Sequence, residues 1–342
     1  MSEEARSPSV ARRAGSRLAR FRLLLGIVLS VAFLAVTVAG LDLALVGQII
    51  LAASPLGLVL ALALVGLELS IRAYRWQALL GGIAPVPYRK AFGFLCIGYF
   101  ANSMLPARLG DLARAYLAGN SFRIPRLATL GTVLVERVAD GLTMVVAVIV
   151  ASIFVPEAGA IRQTAIVLLL VGLAGLLVAS LGLLAAHRLG LDTTRLGSLL
   201  RDLLLRVLAG TRALRHPRGL AIVLATTFAG FVTAVSVLWT VGMAVGLELS
   251  AGQAALVSAG LALSLAIPAA PGSLGTYEFV GVSILVSIGY PPEASLAAIA
   301  LVHVFVTLPA ALLGLLAMWA YHMRVRTIVE SAEAVEAGEA AA

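Results

Sequence analysis

The sequence lacks most of what soluble catalysis uses. Its 342 residues include one cysteine, Cys96, which excludes an intramolecular disulfide and any thiolate metal cluster. The four histidines, His187, His216, His303 and His322, are scattered and never at ligand spacing, so no metal and no other cofactor is expected. There is no Gly-rich phosphate loop, no nucleophile elbow, and no soluble domain large enough to hold an active site. Charge is scarce as well: 12% of residues are charged and 61% are hydrophobic, with a mean hydropathy of +1.04. A soluble domain carries about 25% charged residues, so this composition points to a polytopic membrane protein. The basic start leads into an apolar run without a clear small-residue cleavage site, and no cleavable signal is expected.

One local absence is the most informative. Between Gly219 and Met323 there is no lysine or arginine. Basic residues gather instead in 1–22, 72–90 and 188–218 and at Arg324 and Arg326, while Arg162 alone falls on the expected outer side. This is a positive-inside pattern, and it places both termini in the cytoplasm of a cell whose plasma membrane the chain crosses repeatedly. It also accounts for the pI near 10.3, because basic loops are favoured beside anionic headgroups. Nucleic acid is therefore not expected as a partner.

What is present is a series of apolar runs. Residues 1–22 read as a basic cytoplasmic tail, 23–323 as a transmembrane domain, and 324–342 as a disordered tail. Full spans are expected at 23–39, 55–75, 127–155, 164–186, 219–245 and 295–321. Glu68, Arg72 and Arg75 close the second span; Glu68 and Arg72 are four apart and able to pair, and Trp76 reads as an interface anchor. Trp239, Trp319 and Tyr321 read as anchors too. Residues 91–105 and 111–118 are too short to span and flank Pro106, so they read as a re-entrant hairpin. Residues 253–267 and 275–288 form a second such pair around Pro268, Pro271 and Gly272. In 188–218, Leu196, Leu199, Leu200, Leu203 and Val207 share one helical face, as expected of an amphipathic helix on the membrane surface; a solvated linker is the alternative.

The two breaks match. Residues 105–110 (LPARLG) and 270–275 (APGSLG) both read Pro, small, polar, Leu, Gly, and an acid follows each, Asp111 or Glu278. The surroundings match too, giving repeat halves at about 55–155 and 219–322. The charge pattern orients those halves oppositely. The fold expected is an all-α inverted repeat with about six full transmembrane helices and two re-entrant broken-helix hairpins, a plan that transporters use with substrate bound between the repeats.

Charged residues at membrane depth usually mark a pathway or a binding site. Three clusters qualify: Asn102, Pro106, Arg108, Gly110, Asp111 and Arg114; then Glu136, Arg137 and Asp140; then Pro271, Gly272, Ser273, Gly275, Thr276, Tyr277 and Glu278. Glu136 and Asp140 lie on one helix face, where like charges need cationic partners or protonation. Arg137 points about 100° away on a helix, which leaves Arg108 or Arg114 as the counter-ion. Arginine forks onto phosphate oxygens, and helix starts at Gly110 and Gly275 would add backbone N–H donors. A buried salt-bridge network that only fixes hairpin against helix is the other reading. His303 reads first as a hydrogen-bonded packing residue and second as a proton relay. No basic neighbour in sequence explains Glu278.

The motifs N-x-x-x-P-x-R-x-G-[DE]-x-x-R at 102–114, E-R-x-x-D at 136–140 and P-x-x-P-G-x-x-G-x-x-E at 268–278 resemble the lysylphosphatidylglycerol synthase transmembrane-region family of flippase-like proteins. Asp111 stands where the family often has Glu, and Ser273 where it commonly has a second Gly. The resemblance implies movement of a phospholipid or polyprenyl-linked lipid between leaflets. It does not imply lipid synthesis, because no soluble aminoacyltransferase domain follows the last span. The function expected is lipid transport without catalysis. The alternatives are a non-transporting scaffold for a separate glycosyltransferase or synthase, and a membrane-embedded enzyme using Glu136, Asp140, Glu278 or His303 on a lipid headgroup.

Overall fold

In the computed structural model the described residues are 24–105, 109–155, 208–265 and 269–323, with 159, 163 and 267 as isolated positions. The expected tails, the span at 164–186, most of the surface segment at 188–218, and Pro106, Arg108 and Pro268 lie outside them. Every element among the described residues is helical.

The helices are α1 (Leu24–Val38), α2 (Leu43–Ala52), α3 (Pro55–Gly81), α4 (Tyr88–Met104), α5 (Leu109–Phe122), α6 (Arg126–Ala151), α7 (Pro217–Ala244), α8 (Ala251–Ser264), α9 (Thr276–Ser287) and α10 (Pro292–Ala320). Their starts are written locally. Asp42 caps α2 by accepting from the Ala44 and Leu45 N–H groups. Ser54 precedes Pro55 at the first turn of α3, and Ser250 and Gln253 form a capping box on α8.

Among the described residues, three helices, α3, α7 and α10, are long and apolar enough to cross a membrane, and a fourth crossing arises if α1 and α2 count as one bent span. Two sequence expectations change here. The stretch at 23–39 is not a straight span: α1 is followed, after an 84° bend, by a further helix, α2, that periodicity did not single out. At about 1.5 Å per residue the described part of α1 is about 22 Å long, short of the ~30 Å hydrocarbon core. The second span does not stop at Arg75 but runs on to Gly81. Glu68, Arg72 and Arg75 are thereby carried inside the bundle, and two arginines leave the basic rim. Trp76 is fully buried rather than an interface anchor; its Nε1–H donates to Thr132 Oγ1 at 3.1 Å.

The packing has a pattern. α3 and α7 run antiparallel along their length: the Ser54 N–H donates to Ala244 O at one end, and Gly82 abuts Ala213 at the other. α4 packs antiparallel to α10, with Gly314 pressed on the Cys96 carbonyl and Tyr321 donating to Arg89 O. α6 packs antiparallel to α8 in the corresponding way, with Gly252 against Ala151 and Phe154. α4 folds back on α5, and α8 on α9. Residues 209–215, the described end of the 188–218 segment, form a 3-10 helix packed on α3, α6 and α7.

Candidate functional site

The two breaks meet in the middle of the bundle. α4 ends at Met104 and α5 starts at Leu109, while α8 ends at Ser264 and α9 starts at Thr276. A 3-10 turn, Pro271–Ser273, lies in the second break and packs on α4, with Gly272 facing the Ser103 carbonyl. Gly272 and Gly275 have φ of +72° and +83°, in the left-handed region that glycine favours, and Ser273 joins them at +60°. In the first hairpin Gly110 sits so close to Gly98 O and Asn102 that a Cβ would collide with both. Glycine there permits close approach of backbone to backbone.

Around the first break lies a network of four arginines and four carboxylates. Glu136, on α6, is bound from both sides: Arg114 Nη2 donates at 2.8 Å and Arg75 Nε at 3.3 Å. Asp140, one turn on, takes Arg75 through Nη1 and through Nη2 at 3.0 Å, with Arg72 Nη1 at 3.5 Å. Arg72 forks onto Glu68 at 2.7 and 2.9 Å. Arg137 donates through Nε and Nη2 to Asp111 Oδ2, and Asn102 Nδ2 reaches Oδ1 at 3.4 Å. Arg114, 2% exposed, also stacks over Trp76. Sequence reasoning offered Arg108 or Arg114 as the counter-ion of Glu136, and Arg114 takes that place. It missed Arg75, because 61 residues separate that pair and helix spacing says nothing about them.

Glu278 has partners after all. Its Oε2 accepts the Gly275 N–H at 2.6 Å, capping α9, and its Oε1 meets His303 Nδ1. The Gly275 N–H expected for a ligand is thus already taken. His303 Nε2 lies 2.9 Å from Gly272 O. A carbonyl can only accept, so Nε2 carries a hydrogen, and one further proton lies between Nδ1 and the carboxyl. His303 also stacks on Tyr277, so it both packs and ties the second break down at two points.

Both halves line one cavity of about 200 Å³. Glu68, Leu69 and Arg72 come from α3, Tyr99, Asn102 and Ser103 from α4, and Arg137 from α6. Gly272 and Ser273 come from the second break, Tyr277 from α9, and His303, Val306 and Thr307 from α10. Of the three clusters singled out in sequence, Asn102, Arg137, Gly272, Ser273 and Tyr277 line this space. Gly110, Asp111, Arg114, Glu136, Asp140, Gly275 and Glu278 hold its walls from behind, and Pro271 begins the turn beside it. Glu68, Arg72 and Tyr99 line it as well; the i, i+4 spacing of the first two was their only sequence signal, and Tyr99 had none. The described residues contain no group of His, Cys, Asp and Glu able to hold a metal ion.

A profile of the lysylphosphatidylglycerol synthase TM region matches residues 23–332. No curated protein matches the chain.

Proposed function

The chain belongs to the lysylphosphatidylglycerol synthase TM-region family of membrane proteins, and from that premise we propose that it translocates a lipid with a charged headgroup across the plasma membrane. The observation that carries this reading is the cavity formed where two helix breaks face one another at the centre of the bundle. Polar groups at that depth are costly unless they serve a pathway.

The packing supports an inverted repeat. Exchanging α3–α6 with α7–α10 turns α4 against α10 into α8 against α6, α5 against α6 into α9 against α10, and α3 against α4 into α7 against α8, each a packed pair. α3 against α7 maps onto itself, antiparallel. The first hairpin then opens on the face holding Arg89, Lys90, Arg123, Arg126, Arg212, Arg215 and Arg218. The second opens on the face holding Glu248 and Glu293, where no described residue is basic. By the positive-inside rule the first face is cytoplasmic. The headgroup crosses through the cavity while the acyl chains stay in lipid. The arginine network holds the hairpin in register and presents Arg137 to the cavity, and no lipid bond is made or broken.

The test is translocation of headgroup-labelled lipids from a bacterial lipid extract in proteoliposomes. Thr307→Trp, which fills the cavity, is expected to stop transport, whereas Leu308→Trp on the exposed neighbouring position leaves it intact. Equal transport in both variants would remove the cavity from the pathway.

A further inference from the structure

The second break is held by a proton as well as by packing. His303 lies between two acceptors: the Gly272 carbonyl, 2.9 Å from Nε2, and the Glu278 carboxyl at Nδ1. The other oxygen of that carboxyl is already bound to the Gly275 N–H. A neutral imidazole has one N–H and one lone pair, so it can donate to only one of two acceptors. With Nε2–H on Gly272 O, the Nδ1 lone pair opposes the carboxylate. In the other tautomer the Nε2 lone pair opposes the carbonyl. Both ties exist together only while one further proton sits on the pair, whether on the ring or on the carboxyl. The pair is thus a site for a single exchangeable proton.

What this proton ties down is the turn itself. Gly272 and Ser273 have φ of +72° and +60°, and Gly275, which Glu278 caps, has φ of +83°. Backbone in that region persists only where its surroundings fix it, and His303 fixes the Gly272 carbonyl. His303, Gly272, Ser273 and Tyr277 all line the cavity, so a change at the pair changes the cavity wall. The site is also separate from the arginine network: among the described residues no arginine or lysine bonds Glu278 or His303. Of the groups around it, Tyr277 stacks on the ring. Glu68 and Arg72 from α3, Tyr99 from α4 and Arg137 from α6 line the same cavity. The described helices α1, α2 and α8 carry no titratable residue, while α7 carries only Arg218 and α10 adds only Glu293, each in a first turn.

We propose that the His303–Glu278 pair binds the coupling ion, a proton exchanged with water, and that the second break is tied shut while the proton is bound and released when it leaves. The proposal rests on the translocation reading and names what drives it. Proteoliposomes of the full-length protein carry headgroup-labelled lipids of a bacterial extract. Potassium and valinomycin clamp the membrane potential, and a pH difference of about one unit is imposed. For one proton per lipid the steady-state leaflet ratio of the label is expected to shift about tenfold, with no shift in protein-free vesicles. Glu278→Gln is the decisive variant. Its amide oxygen can accept the Gly275 N–H and its amide N–H can donate to Nδ1, so a neutral His303 keeps both ties with no proton to lose. It is expected to hold the wild-type thermal midpoint and to lose the response to the gradient. A wild-type response in Glu278→Gln overturns the proposal. So does a wild-type protein whose label equilibrates regardless of the gradient, a result that leaves translocation standing. If the wild type moves no label, the translocation reading falls, and pH-difference infrared spectra of the purified protein judge the proton site by itself. A pH-dependent carboxyl or imidazole band that Glu278→Gln lacks supports the site; identical difference spectra overturn it.

Discussion

Glu136 is 2% exposed and has an arginine on either side. Removing its charge strands Arg75 and Arg114, both nearly without solvent, and breaking a buried pair in this way costs about 3–5 kcal/mol. Glu136→Gln is therefore expected to lower the thermal midpoint of the purified protein far more than Arg126→Gln. Arg126 donates to Asn120 Oδ1 at 2.9 Å in an exposed contact, and its loss is expected to cost about 1 kcal/mol. Scanning fluorimetry of the two variants in one detergent decides it, and similar shifts would contradict the division of roles drawn here. His303 gives a second contrast. His303→Phe keeps a ring against Tyr277 but leaves Gly272 O and the Glu278 carboxyl without their partner. It is expected to abolish translocation while the protein still inserts, and normal translocation would remove the second break from the moving parts.

At the scale of elements the question is how α1 is held. It lies along the second break: Ser30 Oγ accepts the Ala270 N–H at 2.8 Å, Gly26 abuts the Ala269 carbonyl, and Phe33 stacks on Phe279 at 4.7 Å. Gly275 closes this contact, because a Cβ there would lie 2.1 Å from Ser30 O. Gly275→Ala combines that collision with a left-handed backbone, and is expected to pry α1 away. Gly289→Ala is the control, with φ +96° and nothing within 4 Å, and is expected to cost only the conformational ~1–2 kcal/mol. Limited proteolysis before α1 reads the difference: accelerated cleavage in Gly275→Ala alone is the expected result. The break itself was visible in the sequence, because Pro and Gly interrupt an apolar run there. α2 and the bend before it were not, since both flanking runs are apolar and only the Asp42 cap marks the boundary.

For the whole molecule, opposite orientation of the halves is open to direct measurement. Cys96 is buried, so its replacement by Ala provides a background for single-cysteine labelling. Pro85→Cys, between α3 and α4, and Glu248→Cys, between α7 and α8, are exposed at corresponding places in the two halves. A membrane-impermeant maleimide is expected to reach Glu248→Cys in intact cells and Pro85→Cys only in inverted vesicles. Labelling of both from one side would end the inverted-repeat reading.

Membrane residence, the helical class and the two Pro/Gly breaks were determined by sequence alone, because insertion sums per-residue transfer energies over a segment and each break is local. The membership of the polar clusters was half legible. Glu136, Asp140, Arg114 and Arg137 betrayed themselves as charges inside apolar runs, whereas Glu68, Arg72 and Arg75 were read as the end of a span. Only the tertiary structure decided that α3 continues to Gly81 and carries Arg75 onto Glu136 and Asp140. It alone brought His303 to Glu278 across 25 residues and closed a single cavity between the two breaks. The physical reason is that a charge at membrane depth must find its partner in space, and nothing in helical periodicity says which neighbouring helix will supply it.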